Sequence, residues 1–175
     1  MMKKKTKLTA LCGILSALSV VIMLPTLVIP VLTYVAPMIA GFVIMTVSDI
    51  AGKKWAFGVF SAVSVITLII LTDKEASLTY IAFFGYYPLI RENLEKKRKV
   101  LSLIFKFLLF NISMVTVSLL GIYVFAVPVE DFTSFGRFSV PILLFLANIV
   151  FILYDFSFKR LNPLIKAVSQ KLMKI

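Results

Sequence analysis

The chain has 175 residues, of which 61% are hydrophobic and only 15% charged, and it carries a net charge of +11. A soluble domain carries about 25% charged and about 45–50% apolar residues, so this is the composition of an integral membrane protein with no room for a soluble domain. The sequence holds no histidine and one cysteine, Cys12, which excludes histidine-based acid–base catalysis, a thiolate metal cluster and an internal disulfide.

A charge of +11 on a soluble chain points to nucleic acid. Here the basic residues flank apolar spans, so they report orientation and contact with lipid headgroups, and no nucleic-acid partner is expected. Lys3, Lys4, Lys5 and Lys7 precede the first apolar stretch. A cleavable signal peptide would share that basic start, but the stretch leads into more membrane and not into a small-residue cleavage site, so an uncleaved first helix is expected. From Leu8 to Ser48 no residue is charged. One span needs about 20 residues, so this segment must fold back once. Pro25, Pro30 and Pro37 mark the turn, because proline removes a backbone donor and disfavours helix just before it. The reading is span one over 8–24, an apolar outer loop over about 25–34, and span two over 35–50. Irregular backbone is not tolerated in lipid, so the loop is expected to tuck against the bundle or lie in the interface.

Asp49 ends span two, and Gly52-Lys53-Lys54 makes an inner turn. Span three covers 55–71, with Trp55 at the boundary, and Thr72 to Glu75 forms a short outer turn. Span four, 76–97, passes through Gly85-Tyr86-Tyr87-Pro88, where Pro88 is expected to kink it. It runs into Arg91–Lys99, the only long charged run, with Glu92 and Lys96 spaced as an i, i+4 pair. Span five covers 100–127 and contains Lys106. A polar outer loop with Glu130 and Asp131 follows, then span six over 138–158. Asn162-Pro163 opens a final helix over 163–174, with Leu164, Ile165, Val168 and Leu172 on one face, expected to lie along the inner surface. This map puts 16 of the 19 basic residues inside, leaving Lys74 and Arg137 outside and Lys106 within the membrane. The expected fold is an all-α polytopic integral membrane bundle: one domain over 1–175, six transmembrane helices, both termini cytoplasmic, and a short amphipathic C-terminal helix.

The polar residues within spans are few. Asp49, Lys106 and Asp155 lie toward the inner ends. Spans five and six form an antiparallel hairpin that brings Lys106 and Asp155 to similar depth, either as a structural ion pair or as two charges snorkelling separately. Asn111 and Asn148 sit near mid-depth of the same two spans. They serve either as an interhelical hydrogen bond or as part of a pocket for a polar solute. Tyr34, Tyr80 and Tyr123 fall toward the outer side, where phenol rings also act as interface anchors. Arg137, beside Glu130 and Asp131, reads as a solvated loop charge. On the first span Ala10, Gly13 and Ala17, with Thr6 one turn earlier, form a small-residue face that permits close helix approach, within the bundle or to a partner. No dinucleotide, phosphate-loop, zinc-protease or serine-hydrolase motif occurs, and neither Asp49 nor Asp155 lies in a Gly-x-Gly-Asp type of sequence, so no enzyme activity, metal or cofactor is expected.

The layout resembles the substrate-binding S component of energy-coupling-factor (ECF) vitamin transporters. The features that carry the resemblance are the basic start leading into Lys7-Leu-Thr-Ala-Leu-Cys-Gly-Ile-Leu-Ser-Ala17, six spans in under 200 residues, an apolar first outer loop and basic inner loops. Gly85-Tyr86-Tyr87-Pro88 before a basic run is similar to uncharacterised members of this group. That family docks on a transmembrane coupling subunit through small residues spaced by four on its first helix. Gly13 and Ala17 match the spacing, with glycine in place of the usual first alanine. The resemblance implies a bacterial plasma-membrane protein that binds a vitamin or related micronutrient from outside and works with a coupling subunit and two ATPases. Tyr34, Tyr80, Asn111, Tyr123 and Asn148 are then the candidate solute contacts, and Ala10, Gly13 and Ala17 the docking face. A membrane scaffold, similar to the small multispan proteins of bacterial cell-wall elongation complexes, is the alternative. In that case the polar residues only bond helices together.

Overall fold

A computed structural model of the chain describes residues 2–96, 98–125 and 139–174, all of them helical or in the turns between helices. Helix α1 (Met2–Met23) continues into a single 3-10 turn over Leu24–Leu27, where Pro25 occupies a first-turn position that needs no backbone donor. Helix α2 (Leu32–Ala51) begins three residues before the expected boundary and runs through Pro37 without a break. The apolar loop is correspondingly short. Of the two expected placements it does not take the one against the bundle: Thr26 is buried, but Val28 is 83% exposed, and Ile29 and Val31 are exposed as well, as residues that lie in the interface would be.

Gly52 closes α2 with φ at +90°, a backbone state that an L side chain resists, and its N–H bonds the Ser48 carbonyl. Helix α3 (Lys53–Ile70) follows at once. The expected fourth span, 76–97, is not one regular helix. Asp73 caps α4 (Lys74–Thr79) by accepting from the Ala76 N–H at 3.0 Å. A π turn over Tyr80–Phe84 then closes with the Gly85 N–H on the Tyr80 carbonyl at 2.8 Å. Only after Gly85-Tyr86 does α5 (Tyr87–Glu95) begin, with Pro88 in its first turn. Pro88 therefore starts a helix and does not kink one. Its missing N–H leaves the Phe84 carbonyl without a helical donor. The Tyr154 hydroxyl takes that role, donating to Phe84 O at 3.4 Å.

Helix α6 (Lys99–Phe125) and helix α7 (Ser139–Lys174) complete the bundle. The predicted break at Asn162-Pro163 does not occur. Helix α7 is continuous over 36 residues with Pro163 inside it, so the separate C-terminal helix over 163–174 is its last section. Leu164 is exposed and Ile165 half-buried. The side chains of Val168 and Leu172, the loop with Glu130, Asp131 and Arg137, and the expected limits of spans five and six at Val127 and Phe138 lie outside the described residues.

Four segments are long and apolar enough to cross a membrane: Lys5–Leu27, Leu32–Ala51, Lys53–Ile70 and Lys99–Phe125. Their outward faces carry exposed Ile14, Phe57, Ile69, Leu103 and Ile112, the surface that a lipid solvent requires. Helix α2 sits at the centre. On one side, with α1, α3 and α4, it closes an aliphatic core around Ala40, Ile44, Val59 and Val63. On the other, with α5, α6 and α7, it meets an aromatic core of Phe83, Phe84, Tyr87, Phe110, Phe151, Tyr154 and Phe158. Gly41 makes this double contact possible. A Cβ there would lie 2.5 Å from the Phe84 carbonyl oxygen, so only glycine lets α2 pass the π turn. Gly41 is the tenth of the twenty residues of α2, which places Phe84 and Tyr154 at its mid-length.

Candidate functional site

The most concentrated polar chemistry lies next to that midpoint, among α5, α6 and α7. Lys106 donates to both oxygens of Asp155, at 2.9 and 3.0 Å. Arg91 donates its Nε to Asp155 Oδ1 at 2.9 Å and its Nη2 to Glu95 Oε1 at 2.7 Å. Lys106 reaches the same Glu95 oxygen at 3.2 Å, and the Tyr87 hydroxyl donates to Asp155 Oδ1. Two cations and two carboxylates form a neutral quartet, which is how ionised groups persist inside a bundle. Side-chain exposure grades across it: 5% for Arg91, 6% for Lys106, 17% for Asp155 and 36% for Glu95. The Arg91 guanidinium also lies over the Phe158 ring, 5.1 Å from its centroid. The structure thus brings Lys106 and Asp155 together, within a larger group whose other members were not singled out from the sequence. Arg91 and Glu95 read there as orientation charges of the basic run. Their i, i+4 spacing four residues after Tyr87 was the available signal. Glu92 does not turn to Lys96: its carboxylate pairs with Lys53 of α3 at 3.0 Å.

About a turn and a half from Lys106 along α6, Asn111 and Asn148 face each other. Each amide nitrogen donates to the other's oxygen at 2.9 Å. Each also donates to the carbonyl four residues back, Phe107 at 2.8 Å and Leu144 at 2.7 Å. Both N–H bonds of both amides are used, so the pair staples α6 to α7.

The three tyrosines do not converge. The Tyr34 hydroxyl, on a side chain 44% exposed, donates to Glu75 near the start of α4, while neighbouring Thr33 donates to Asp73 at 2.8 Å. Tyr123 is 82% exposed near the end of α6, about 18 Å along the helix from Asn111. Tyr80 is fully buried in the π turn, and its hydroxyl has no hydrogen-bond partner among the described residues. Ser64 Oγ and Asp49 Oδ2 are likewise buried and unpaired among the described residues.

Ala10, Gly13 and Ala17 all lie on the exposed side of α1, which packs into the bundle through Cys12, Ser19 and Met23. A Cβ on Gly13 would meet nothing within 4 Å. Beside this face runs a shallow groove of about 280 Å³, lined by residues that include Gly13 and Ser16 of α1 and Trp55, Gly58 and Ala62 of α3. The small residues of α1 are therefore not consumed by packing among the described helices. Comparison of the chain with protein-family models, with curated proteins and with solved structures returned no match.

Proposed function

We propose that this chain is a multi-pass membrane subunit of a micronutrient uptake transporter of the ECF type. It binds solute from the outer side and docks on a transmembrane coupling subunit, itself driven by two ATPases, through the small-residue face of α1. In this reading α4–α5 and α7 complete six spans, both termini are cytoplasmic, and the protein resides in a bacterial plasma membrane. The observation that carries the proposal is the open face of Ala10, Gly13 and Ala17, since small residues left outside a bundle in lipid are the surface on which a second helix can approach closely. The discontinuous α4–α5 element supports a solute role, because transporters place irregular backbone where it lines a binding region. Tyr80 in this element and Ser64 of α3 carry buried hydroxyls with no partner among the described residues, and polar groups left unpaired inside a bundle are candidate solute contacts.

The test is Gly13→Leu. A Cβ at Gly13 meets nothing within 4 Å, so the variant is expected to fold and insert, and its bulk occupies the face. Affinity purification from native membranes in mild detergent recovers a coupling subunit and ATPases with the parent chain and loses them with the variant. Equal recovery from both chains would overturn the docking assignment.

A membrane scaffold of the cell-wall elongation type is the second reading. It is favoured by the Asn111–Asn148 pair, which leaves no amide donor free, and by the separation of Tyr34, Tyr80 and Tyr123. Co-purification of cell-wall synthesis proteins without ATPases, together with no thermal stabilisation by a vitamin panel, would select it.

A further inference from the structure

We propose that the groove between α1 and α3 holds one acyl chain of an anionic phospholipid, with the lipid phosphate between Lys5 and Lys54. The inference goes beyond the docking reading and does not depend on it. Thr9, Gly13 and Ser16 line the groove from α1, and Trp55, Gly58 and Ala62 line it from α3, so each helix contributes two turns of one face. A Cβ on Gly13 or on Gly58 would meet nothing within 4 Å. Packing among the described helices therefore needs neither glycine, although glycine is a poor helix former. The two hydroxyls are spent on their own helix. Thr9 Oγ1 donates to the Lys5 carbonyl at 3.0 Å, and Ser16 Oγ donates to the Cys12 carbonyl at 2.8 Å. What remains is an apolar channel, which suits hydrocarbon better than a polar solute.

The charges give the occupant its headgroup. Lys5 stands one turn before Thr9 and Lys54 one turn before Gly58, so each wall of the groove leads to a lysine. Both lysines lie on one side of the bundle, because a single membrane-length helix, α2, separates α1 from α3. Both are exposed, and neither meets a carboxylate among the described residues, whereas Lys53 pairs with Glu92. A basic site at the mouth of a groove between membrane helices selects an anionic lipid. Trp55, half-buried at the same end, has the amphipathic ring favoured at the headgroup boundary. Length decides between a lipid chain and a partner helix. From Lys5 to Ser16 along α1 is about 16 Å, close to the roughly 15 Å of hydrocarbon in one leaflet and half of what a spanning helix crosses.

The test follows thermal unfolding of the full chain in mild detergent against phosphatidylglycerol and against phosphatidylcholine. Phosphatidylglycerol is expected to stabilise the parent saturably, at a lower mole fraction than phosphatidylcholine. Lys5→Gln/Lys54→Gln should raise its half-saturating fraction about fivefold for each lysine and leave the phosphatidylcholine curve in place. Gly58→Leu fills the groove and should abolish the phosphatidylglycerol response. It leaves Ala10, Gly13 and Ala17 unaltered, so its outcome is separate from that of the docking reading. An unchanged response in Gly58→Leu would overturn the site, and equal responses of the parent to the two lipids would overturn the headgroup assignment. A dimer in lipid-free detergent that Gly58→Leu dissociates would give the groove to a second copy of the chain and overturn the lipid. If Gly58→Leu is not recovered folded, the lysine double variant, altered only at exposed positions, decides alone: an unchanged preference for phosphatidylglycerol overturns the inference.

Discussion

Asp155 is the residue on which the polar interior depends, because it accepts from three donors on two other helices. Replacing it with asparagine leaves Arg91 and Lys106 sharing Glu95 alone. Removing one partner from a buried ion group costs about 3–5 kcal/mol, so Asp155→Asn should show a sharply lowered unfolding midpoint in detergent. Asp155→Asn/Lys106→Met, which leaves the neutral Arg91–Glu95 pair, should recover most of that loss. If the double variant is no better than the single one, the charges do not act as a group. The asparagines make a milder case. Asn111→Leu strands the Asn148 amide at a cost of about 1–2 kcal/mol, and Asn111→Leu/Asn148→Leu should regain most of it, since lipid-solvated helices do not need the bond to pack. Both expectations are read by thermal or denaturant unfolding of the purified chain.

At the scale of elements, the interruption between α4 and α5 organises the bundle. The Phe84 carbonyl loses its helical donor to Pro88, Tyr154 caps it, and Gly41 lets α2 close over the junction. Gly41→Ala should therefore destabilise by about 1–3 kcal/mol, the ordinary cost of overpacking, although alanine is the better helix former. Gly13→Ala, with open space around it, should be neutral or slightly stabilising by the same unfolding measurement. If Gly41→Ala proves as harmless as Gly13→Ala, α2 and the π turn are not in the close contact described here. The contrast between two helical glycines was not visible in the sequence, where both stand in apolar, uncharged surroundings.

At the scale of the whole molecule, membrane-length apolar helices with outward-facing Ile, Leu, Val and Phe predict a chain that stays in the membrane pellet after alkaline carbonate and leaves it only with detergent. Release by carbonate would be incompatible with the helices spanning a bilayer. The α1 face and the basic run belong to this scale too. Both were legible from the sequence as patterns, small residues one turn apart and a block of Lys and Arg. What they contact was not, because spacing along one helix states which residues share a face and not which neighbour covers it.

The sequence by itself determined the class: long uncharged stretches can satisfy their backbone in lipid only as helices, and hydropathy alone locates these. Its expected limits lie within a few residues of those of α1 and α3 outside their basic ends and of the start of α6, and it put Lys106 and Asp155 on adjacent helices. Only the tertiary structure decided the rest. It split the fourth apolar segment, because whether Pro88 kinks a helix or starts one depends on whether another side chain, here that of Tyr154, can serve the carbonyl it abandons. It carried α7 unbroken through Pro163. It moved Arg91 from a solvated charge run into the buried part of the quartet, with Glu95 at its exposed rim, because a charge is interior or exterior according to partners distant in the chain. Asp155 lies 64 residues from Arg91 and 49 from Lys106, and no local pattern encodes that meeting.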